Sequence, residues 1–279
     1  MKKTSQPRAR QSSSVRLRCC VGLLNFLHLK RIMVSGQQHL ESISAEQRVI
    51  FATTHLGDLD VPAVISEAGK WFDVVIANES VQHSFTSRTR INTALHLAGI
   101  QNFLSVEYKD IEGHDAKPHF RAVNFVPMQR ALESGKSVLI AAHNPVKKNE
   151  LPRGGYGAVY ICAMTKDAVI VPVTVDVQSS ELLDSYSSPS FSRRPLAQLV
   201  FHPAMRVAQI NRLEEFGHLA EKIHHDTSVS DEERAEYERI RQALQVESDK
   251  IMRVLASALP PHKRGAYGGV EGDSLVNSI

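Results

Sequence analysis

The chain contains little cysteine and no apolar run long enough to cross a bilayer, and its first 40 positions hold no acidic residue. Its three cysteines show no metal-type spacing, which favours a reduced, cytosolic protein. The absence of a Gly-x-Ser-x-Gly nucleophile elbow removes the common serine hydrolase interpretation. What is present, 279 residues of 42% hydrophobic content, suffices for one large α/β domain or for one domain with a helical appendage.

Basic charge is concentrated at the N-terminus. The first 40 residues carry eight Lys or Arg, whereas the remainder has 25 bases against 30 acids. Within this region Cys19 to Leu29 is an apolar run, but a span takes about 20 such residues and no small-residue cleavage site follows. Two interpretations stay open: an amphipathic helix at an anionic membrane surface, or a first helix packed on the core. Nucleic-acid binding is disfavoured, because the arm has no interleaved aromatic residues and the body is acidic.

Strand-like and helix-like segments alternate along the chain, which predicts an α/β fold with a layered sheet flanked by helices. The predicted strands span 48–54, 72–77, 137–142, 168–177 and 198–201, and the predicted helices span 61–69, 86–98, 121–134 and 158–165. A capping box at Ser230 and Glu233 predicts a long charged helix to about Ala258. We therefore expect a basic arm (1–33), a central domain (34–210), a helical extension (211–259) and a loose tail (260–279).

A predicted strand ends at His55, and Asp60 follows five positions later. Gly57 permits a tight turn between them, and Pro62 suits the first turn of a helix. The spacing places an imidazole at the mouth of a strand, with a carboxylate close enough to orient it, as general-base chemistry requires. Chance alone gives about 0.6 such pairs in this composition, so a solvated loop histidine beside a helix cap is the alternative.

The segment from His55 to Asp60 matches both fixed positions of the His-four-residues-Asp motif of the glycerolipid acyltransferase family, which includes the 1-acylglycerol-3-phosphate acyltransferases. Other segments resemble that family in the expected order: 34–40, 132–140, 151–152, 157–158 and 170–173. Together they cover roughly residues 30 to 205. The resemblance implies a glycerol-phosphate acyltransferase-like α/β fold for the central domain, with a helical C-terminal extension.

The resemblance also implies an activity, namely O-acyl transfer in phospholipid biosynthesis. A fatty acyl group would pass from acyl-CoA or acyl carrier protein to the hydroxyl of a lysophospholipid or glycerol phosphate. His55 would take the hydroxyl proton, and Asp60 would hold the tautomer of the imidazole. The chemistry requires no metal or redox cofactor. Because the acceptor and the product partition into membrane, we expect peripheral attachment to the cytoplasmic face of a membrane through the basic arm, and no nucleic-acid partner.

The chain departs from the family at 141–146, where the third predicted strand, 137–142, ends. A Phe-Pro-Glu-Gly-Thr-Arg-like segment is usual there, whereas this chain has Ala-Ala-His-Asn-Pro-Val, and the arginine expected soon after Gly99 is not evident. The family uses these groups on the phosphate side of the acceptor. The predicted substrate contacts are His143, Lys147, Lys148, Arg153 and Gly57. Either the cations among them or Lys109 replace the missing groups, or the acceptor is not a simple glycerol phosphate; a solvated loop charge is the alternative for each lysine and for Arg153.

Three alternative functions stay open. The first is a catalytically weak relative that binds lipid without turning it over, since the usual Glu and Arg are missing. The second is an acyltransferase whose acceptor lacks a glycerol phosphate, such as an amino lipid or a sugar lipid. The third is a metal-dependent hydrolase that uses His55, Asp58 and Asp60, for which loss of activity on chelation is the test.

Overall fold

The computed structural model describes residues 29–44, 46–57, 60–68, 74–79, 102–106, 122–143, 150–178, 195–225 and 228–269. Within these ranges seven strands form one sheet. They are β1 (Arg31–Ser35), β2 (Arg48–Thr53), β3 (Val74–Glu79), β4 (Asn102–Val106), β5 (Ser137–Ala141), β6 (Ala168–Gln178) and β7 (Leu196–Phe201). Their order across the sheet is β1-β7-β6-β2-β5-β3-β4, so β2 lies in the middle.

Six α-helices accompany these strands in the described part of the chain. They are α1 (Gln38–Glu41), α2 (Asp60–Ala68), α3 (Val126–Glu133), α4 (Gly157–Met164), α5 (Phe216–His224) and α6 (Asp231–Ser257). Short 3-10 turns lie at Ala122–Phe125, Leu213–Glu215, Pro261–Lys263 and Gly265–Tyr267. The predicted α/β fold class, a layered sheet with flanking helices, is confirmed.

Parallel pairing brings the carboxyl ends of β2 and β5 to one edge of the sheet. β2 pairs in parallel with β6 and with β5, so that Thr53 lies opposite Val173 on one side and Ala141 on the other. β6 and β7 are antiparallel, and β7 pairs in parallel with β1. In open α/β sheets, ligands bind at the carboxyl ends of the parallel strands. The residues that follow β2 and β5 therefore lie at the expected ligand-binding edge.

The sheet is buried on both faces, which explains why its central strands are almost wholly apolar. One face packs against α3, α4, α5 and α6 through residues such as Ile50, Ile140 and Ile170. The other face packs against α2 through residues such as Phe51 and Val171. Alternate residues of one strand thus enter different layers of the core, because successive side chains of a strand point to opposite faces.

The long helix α6 begins with the predicted capping box, which is confirmed. Ser230 Oγ accepts the Glu233 main-chain N–H at 3.2 Å, and the Ser230 N–H donates to Glu233 Oε2 at 2.9 Å. Its buried residues recur every three or four positions: Ile240, Leu244, Glu247, Ser248, Ile251, Met252 and Leu255. This spacing is that of one face of a helix, so α6 is a covering layer of the sheet.

Two predicted boundaries are wrong. Residues 31–33, assigned to the N-terminal arm, belong to strand β1, whose pairing with β7 fixes them at an edge of the sheet. The loose tail predicted for 260–279 is folded over 260–269, where Lys263 and Tyr267 are buried. Strands β1 and β4 and helix α1 had no prediction, whereas α5 lies within the predicted helical extension. The arm up to residue 28 and the predicted helix 86–98 lie outside the described residues.

Within the described ranges, no helix combines the length and the apolar character that a membrane span requires.

Candidate active site

His55 stands just beyond the central strand β2, in a segment that is held tightly to β6. The Thr54 main-chain N–H donates to Val173 O at 3.2 Å. The Thr54 hydroxyl donates to Val175 O at 3.1 Å and accepts the Val175 N–H at 2.8 Å. A threonine side chain thereby continues the strand pairing after β2 ends. His55 follows this hydrogen-bonded segment directly, so it is half-buried at the carboxyl edge of the sheet.

His143 lies against His55 from the neighbouring strand, two residues after β5 ends. Its Nε2 accepts the His55 main-chain N–H at 3.0 Å, and its side chain is buried, with 1% exposure. Since an imidazole nitrogen can accept only when it holds no proton, this geometry requires a neutral His143 with its proton on Nδ1. The structure thus places this predicted substrate contact beside the predicted base, as a group that holds the main chain of that base.

Asp60 is the first residue of α2 and lies under the turn that follows His55. Its Oδ2 accepts the main-chain N–H groups of Leu56 at 2.6 Å and Gly57 at 3.0 Å. These bonds are the local reason for the motif spacing, because a carboxylate at this position closes the loop back on the residues that follow the histidine. The contacts fix the turn, while orientation of the imidazole by Asp60 stays a prediction.

Burial dominates the electrostatics of Asp60. The side chain is 1% exposed, and desolvation raises the pKa of its carboxyl from 3.8 to about 7, although the two backbone hydrogen bonds oppose that rise. A carboxyl with a pKa this close to neutrality changes charge in the range where an enzyme works. A strongly shifted pKa marks a candidate functional group, so the pKa of Asp60 adds to the geometry at His55.

Of the predicted substrate contacts, Gly57 and Arg153 are also described. Gly57 is exposed, and a Cβ at its position would have no atom within 4 Å. Arg153 has a side chain that is 70% exposed, and its guanidinium lies 4.0 Å from Asp249 of α6. Lys109, Lys147 and Lys148 lie outside the described residues. Their role at the acceptor stays a prediction.

The loop that follows the site is held by the C-terminal part of the chain. The Gly154 N–H donates to the hydroxyl of Tyr267 at 3.1 Å, and that hydroxyl donates to Asp249 Oδ1 at 2.8 Å. Gly154 in turn pairs with His143 across an isolated antiparallel bridge. Sequence reasoning missed this support, because Tyr267 lies in the segment predicted to be a loose tail and no short motif marks it.

Among the residues described, no group of three or more His, Cys, Asp or Glu side chains is placed to hold a metal ion. The metal-dependent alternative requires Asp58 in addition to His55 and Asp60, and Asp58 lies outside the described ranges.

Comparison with known proteins adds a likeness to a solved structure. No family model matches the chain, and no curated protein matches it. Among solved structures, the chain is similar to the 1-acyl-sn-glycerophosphate (LPA) acyltransferase PlsC from Thermotoga maritima, with 11% sequence identity and a TM-score of 0.45. The match covers 77% of this chain and 79% of that one. A likeness at this level decides neither the activity nor the ligands of the chain.

Proposed function

We propose that the chain is an O-acyltransferase that moves a fatty acyl group from a thioester donor, acyl-CoA or acyl carrier protein, to the hydroxyl of a lysophospholipid or glycerol phosphate. One observation carries the proposal: His55 of the His-four-residues-Asp motif stands at the carboxyl edge of a buried parallel sheet, with its backbone fixed by His143 and with Asp60 closing the turn beneath it.

The reaction begins with activation of the acceptor. An alcohol is a weak nucleophile near neutral pH, and His55 takes its proton as the oxygen attacks the thioester carbonyl carbon. The new carbon–oxygen bond forms and the carbon–sulfur bond breaks. The imidazolium then returns the proton to the thiolate that leaves. The acyl ester and the free thiol are the products, and no oxidant, reductant or metal is consumed.

The surroundings of His55 suit that cycle. The imidazole is half-buried, so it meets substrate on one side and packed protein on the other. His143 holds its backbone, which restricts where the base can be when the acceptor arrives; a misplacement of about 1 Å can cost about 100-fold in rate. An ionised Asp60 close to the turn favours the positive imidazolium that forms during proton transfer. The electrostatic contribution of Asp60 increases as the site loses water, because the local dielectric constant falls.

A membrane lipid is the acceptor class that fits the basic residues at the N-terminus and after β5. A lysophospholipid partitions into membrane, and the eight basic residues in the first 40 positions would attract the protein to an anionic, cytoplasmic leaflet at about 1 kcal/mol for each basic residue near the surface. Lys147, Lys148 and Arg153 follow β5 in the sequence, and we expect these cations to bind the acceptor phosphate.

A mass-spectrometric transfer assay tests the function. The purified full chain is presented with acyl-CoA or acyl carrier protein and with glycerol 3-phosphate, lysophosphatidic acid, an amino lipid and a sugar lipid in turn. His55→Ala is the active-site variant, and His218→Ala, at an exposed position on α5, is the matched control. We expect an acylated acceptor with wild type and with the control, and a loss of at least about 100-fold with His55→Ala.

The acceptor panel also separates the alternatives. A product formed only on an acceptor without glycerol phosphate would keep the chemistry and replace the acceptor. Lysolipid binding without any product, in a protein whose circular dichroism is native, would contradict the proposal and favour a lipid-binding relative. Activity that a chelator abolishes would favour the metal-dependent hydrolase instead.

A further inference from the structure

Strand β1 runs in the opposite direction to the central strands, so it begins at the edge of the sheet where they end. β1 is parallel to β7, and β7 is antiparallel to β6, which is itself parallel to β2. In this register Arg31 lies opposite Leu196, and Leu196 lies opposite Gln178, the last residue of β6. The chain therefore enters the sheet at the same edge as His55.

The C-terminal turn reaches this edge as well. Lys263 Nζ donates to Val177 O at 3.0 Å near the end of β6, and Lys263 O accepts the Leu151 N–H at 2.9 Å. Arg264 is the next residue of the turn, and Arg153 lies two positions after Leu151. Both arginines are thereby placed beside the end of β6.

Four basic residues thus share this edge and form a cationic rim: Lys30, Arg31, Arg153 and Arg264. Lys30 and Arg31 are exposed, Arg264 is half-buried, and the Arg153 side chain is 70% exposed. Two acidic residues lie beside the rim, Glu150 on the loop and Asp249 at 4.0 Å from Arg153. Because four bases face two acids, the rim keeps a net positive charge.

The rim lies on the solvent side of the candidate base. Thr53 pairs with Val173, whereas β6 continues from Val173 to Gln178. Since a strand rises about 3.3 Å per residue, the strand ends that carry Lys30 and Arg31 lie farther out along the sheet than Thr53. A flat surface that rests on the rim therefore faces the edge at which His55 is half-buried.

The sequence before β1 indicates what kind of surface this is. Residues 1–28 carry six Lys or Arg and no acidic residue, and the apolar run 19–29 adjoins Lys30 directly. Met33 on β1 is 38% exposed. Basic residues beside apolar ones suit the interface of an anionic bilayer, where charge attraction and apolar burial act together. A nucleic acid or an acidic protein would use the charge but not the adjacent apolar residues.

We propose that the cationic rim is a docking face for an anionic lipid bilayer, which orients the candidate site towards the membrane. The basic residues before position 29 add attraction, but a tether alone fixes no orientation. The rim fixes one, because it lies at the edge of the sheet that holds His55. The kinetic part of this inference rests on the proposed function, since orientation changes the rate only when the acceptor lies in the membrane.

Vesicle binding tests the docking face without any turnover. The purified full chain is sedimented with vesicles of phosphatidylcholine alone or mixed with an equal amount of phosphatidylserine. K30Q/R31Q removes two charges from the rim, and R48Q/K166Q removes two from the opposite edge, where β2 and β6 begin. We expect K30Q/R31Q to lower the affinity for mixed vesicles by about 25-fold, or about fivefold for each charge, and R48Q/K166Q to lower it by about twofold at most.

A fluorescent probe tests the orientation. The probe is attached through His262→Cys, at an exposed position of the C-terminal turn, or through Lys166→Cys, at an exposed position of the opposite edge. Cys19 and Cys20 are replaced by alanine in both proteins, and Cys162 is buried. With brominated lipid in the mixed vesicles, we expect quenching at position 262 to exceed quenching at position 166 by at least about threefold, because only the rim meets the lipid.

Three results would overturn the inference. The first is equal vesicle affinity in K30Q/R31Q and wild type, and the second is an equal loss of affinity in R48Q/K166Q. The third is equal quenching at the two probe positions, which is the result for a tether without a docking face. If K30Q/R31Q keeps its vesicle affinity but raises KM for acyl carrier protein, the rim binds an acidic protein and not a bilayer.

The transfer assay separates this inference from the proposed function. K30Q/R31Q is expected to lower kcat/KM for lysolipid in vesicles by about the same factor as vesicle affinity, and to leave transfer to soluble glycerol 3-phosphate unchanged. Rim-dependent vesicle binding without transfer by wild type to any acceptor would contradict the proposed function alone. Transfer to lysolipid in vesicles that K30Q/R31Q leaves unchanged, together with unchanged vesicle affinity, would contradict this inference alone.

Discussion

The main-chain N–H of His55 donates to Nε2 of His143 at 3.0 Å, although 88 residues separate them in the chain. The two residues follow neighbouring parallel strands, β2 and β5, so the sheet itself brings them together. A side chain that accepts a backbone N–H fixes the position of the residue without touching its ring. His143 therefore helps to fix the position from which His55 would act as a base.

Replacement of His143 tests whether this hydrogen bond positions His55. His143→Ala removes the acceptor of the His55 N–H, and we expect kcat for acyl transfer to fall by about 10- to 100-fold because the base is no longer held. His143→Gln supplies a side-chain oxygen that can accept the same bond, so it is expected to restore part of the rate. His218→Ala serves as the control. A Gln variant as inactive as the Ala variant, with native circular dichroism, would show that acceptance of this N–H is not what His143 contributes.

Adjacent glycines in the loop after the site provide a matched pair. A Cβ on Gly154 would lie 2.4 Å from Ser248 Oγ and 2.6 Å from Met252 Cγ of α6, whereas the nearest atom to a Cβ on Gly155 is 3.8 Å away. We expect Gly154→Ala to lower the free energy of unfolding by about 1 to 3 kcal/mol, and Gly155→Ala to leave it nearly unchanged. Urea denaturation measures both. Equal losses would mean that α6 does not hold this loop closely.

Tyr267 links that loop to α6 through a single hydroxyl. Tyr267→Phe leaves the Gly154 N–H and Asp249 without this partner, and an unsatisfied buried donor costs about 1 to 3 kcal/mol. A lower melting temperature is expected, together with slower transfer, because Gly154 pairs with His143. Tyr237→Phe is the control, since Tyr237 stacks on Phe216 through its ring face, which the substitution retains. If transfer is equally slow in Tyr237→Phe, the loss of rate in Tyr267→Phe is not due to the Tyr267 hydroxyl.

The sequence was most informative where one local pattern determines one element. The apolar run before His55 and the capping box at Ser230 each act over a few residues, and each is confirmed in the structure. The edge strand β1 was not predicted, because its residues alternate between exposed and half-buried positions beside a basic arm and lack a strong apolar run. Weak edge patterns of this kind depend on the neighbouring strand, here β7.

The sequence predicts the motif residues of the candidate site. It does not predict the contacts between residues that are far apart in the chain. The His-four-residues-Asp motif located His55 and Asp60, and the bonds from Asp60 to Leu56 and Gly57 explain the spacing. Nothing local indicates that Lys263 lies against Asp176, which is 87 residues away. The segment 260–265 has two prolines, two basic residues and a closing glycine, a composition typical of a loop. Its burial is decided by tertiary packing against Leu151, which composition does not encode.

The buried carboxyl of Asp60 gives the stability of the protein a pH dependence of predictable sign. Its pKa is about 7 in the folded state and 3.8 in a solvated chain, so between these values the folded state binds a proton that the unfolded state has lost. The free energy of unfolding therefore falls as the pH rises from about 4 to about 7 and is level above, with a change of up to about 4 kcal/mol from this group.

Asp60→Asn isolates that contribution, because an amide oxygen can accept the same two N–H groups without a charge. The stability of the variant relative to wild type is expected to increase with pH from about 5 to 7, as measured by urea denaturation at half-unit steps. Glu233→Gln is the control. The pKa of Glu233 is lowered to about 2 by its bonds to Lys222 and Ser230, so its stabilising effect is complete above about pH 5 and its variant differs from wild type by a constant amount over this window. A constant difference for Asp60→Asn as well would mean that Asp60 is ionised throughout, and that its burial does not control its charge.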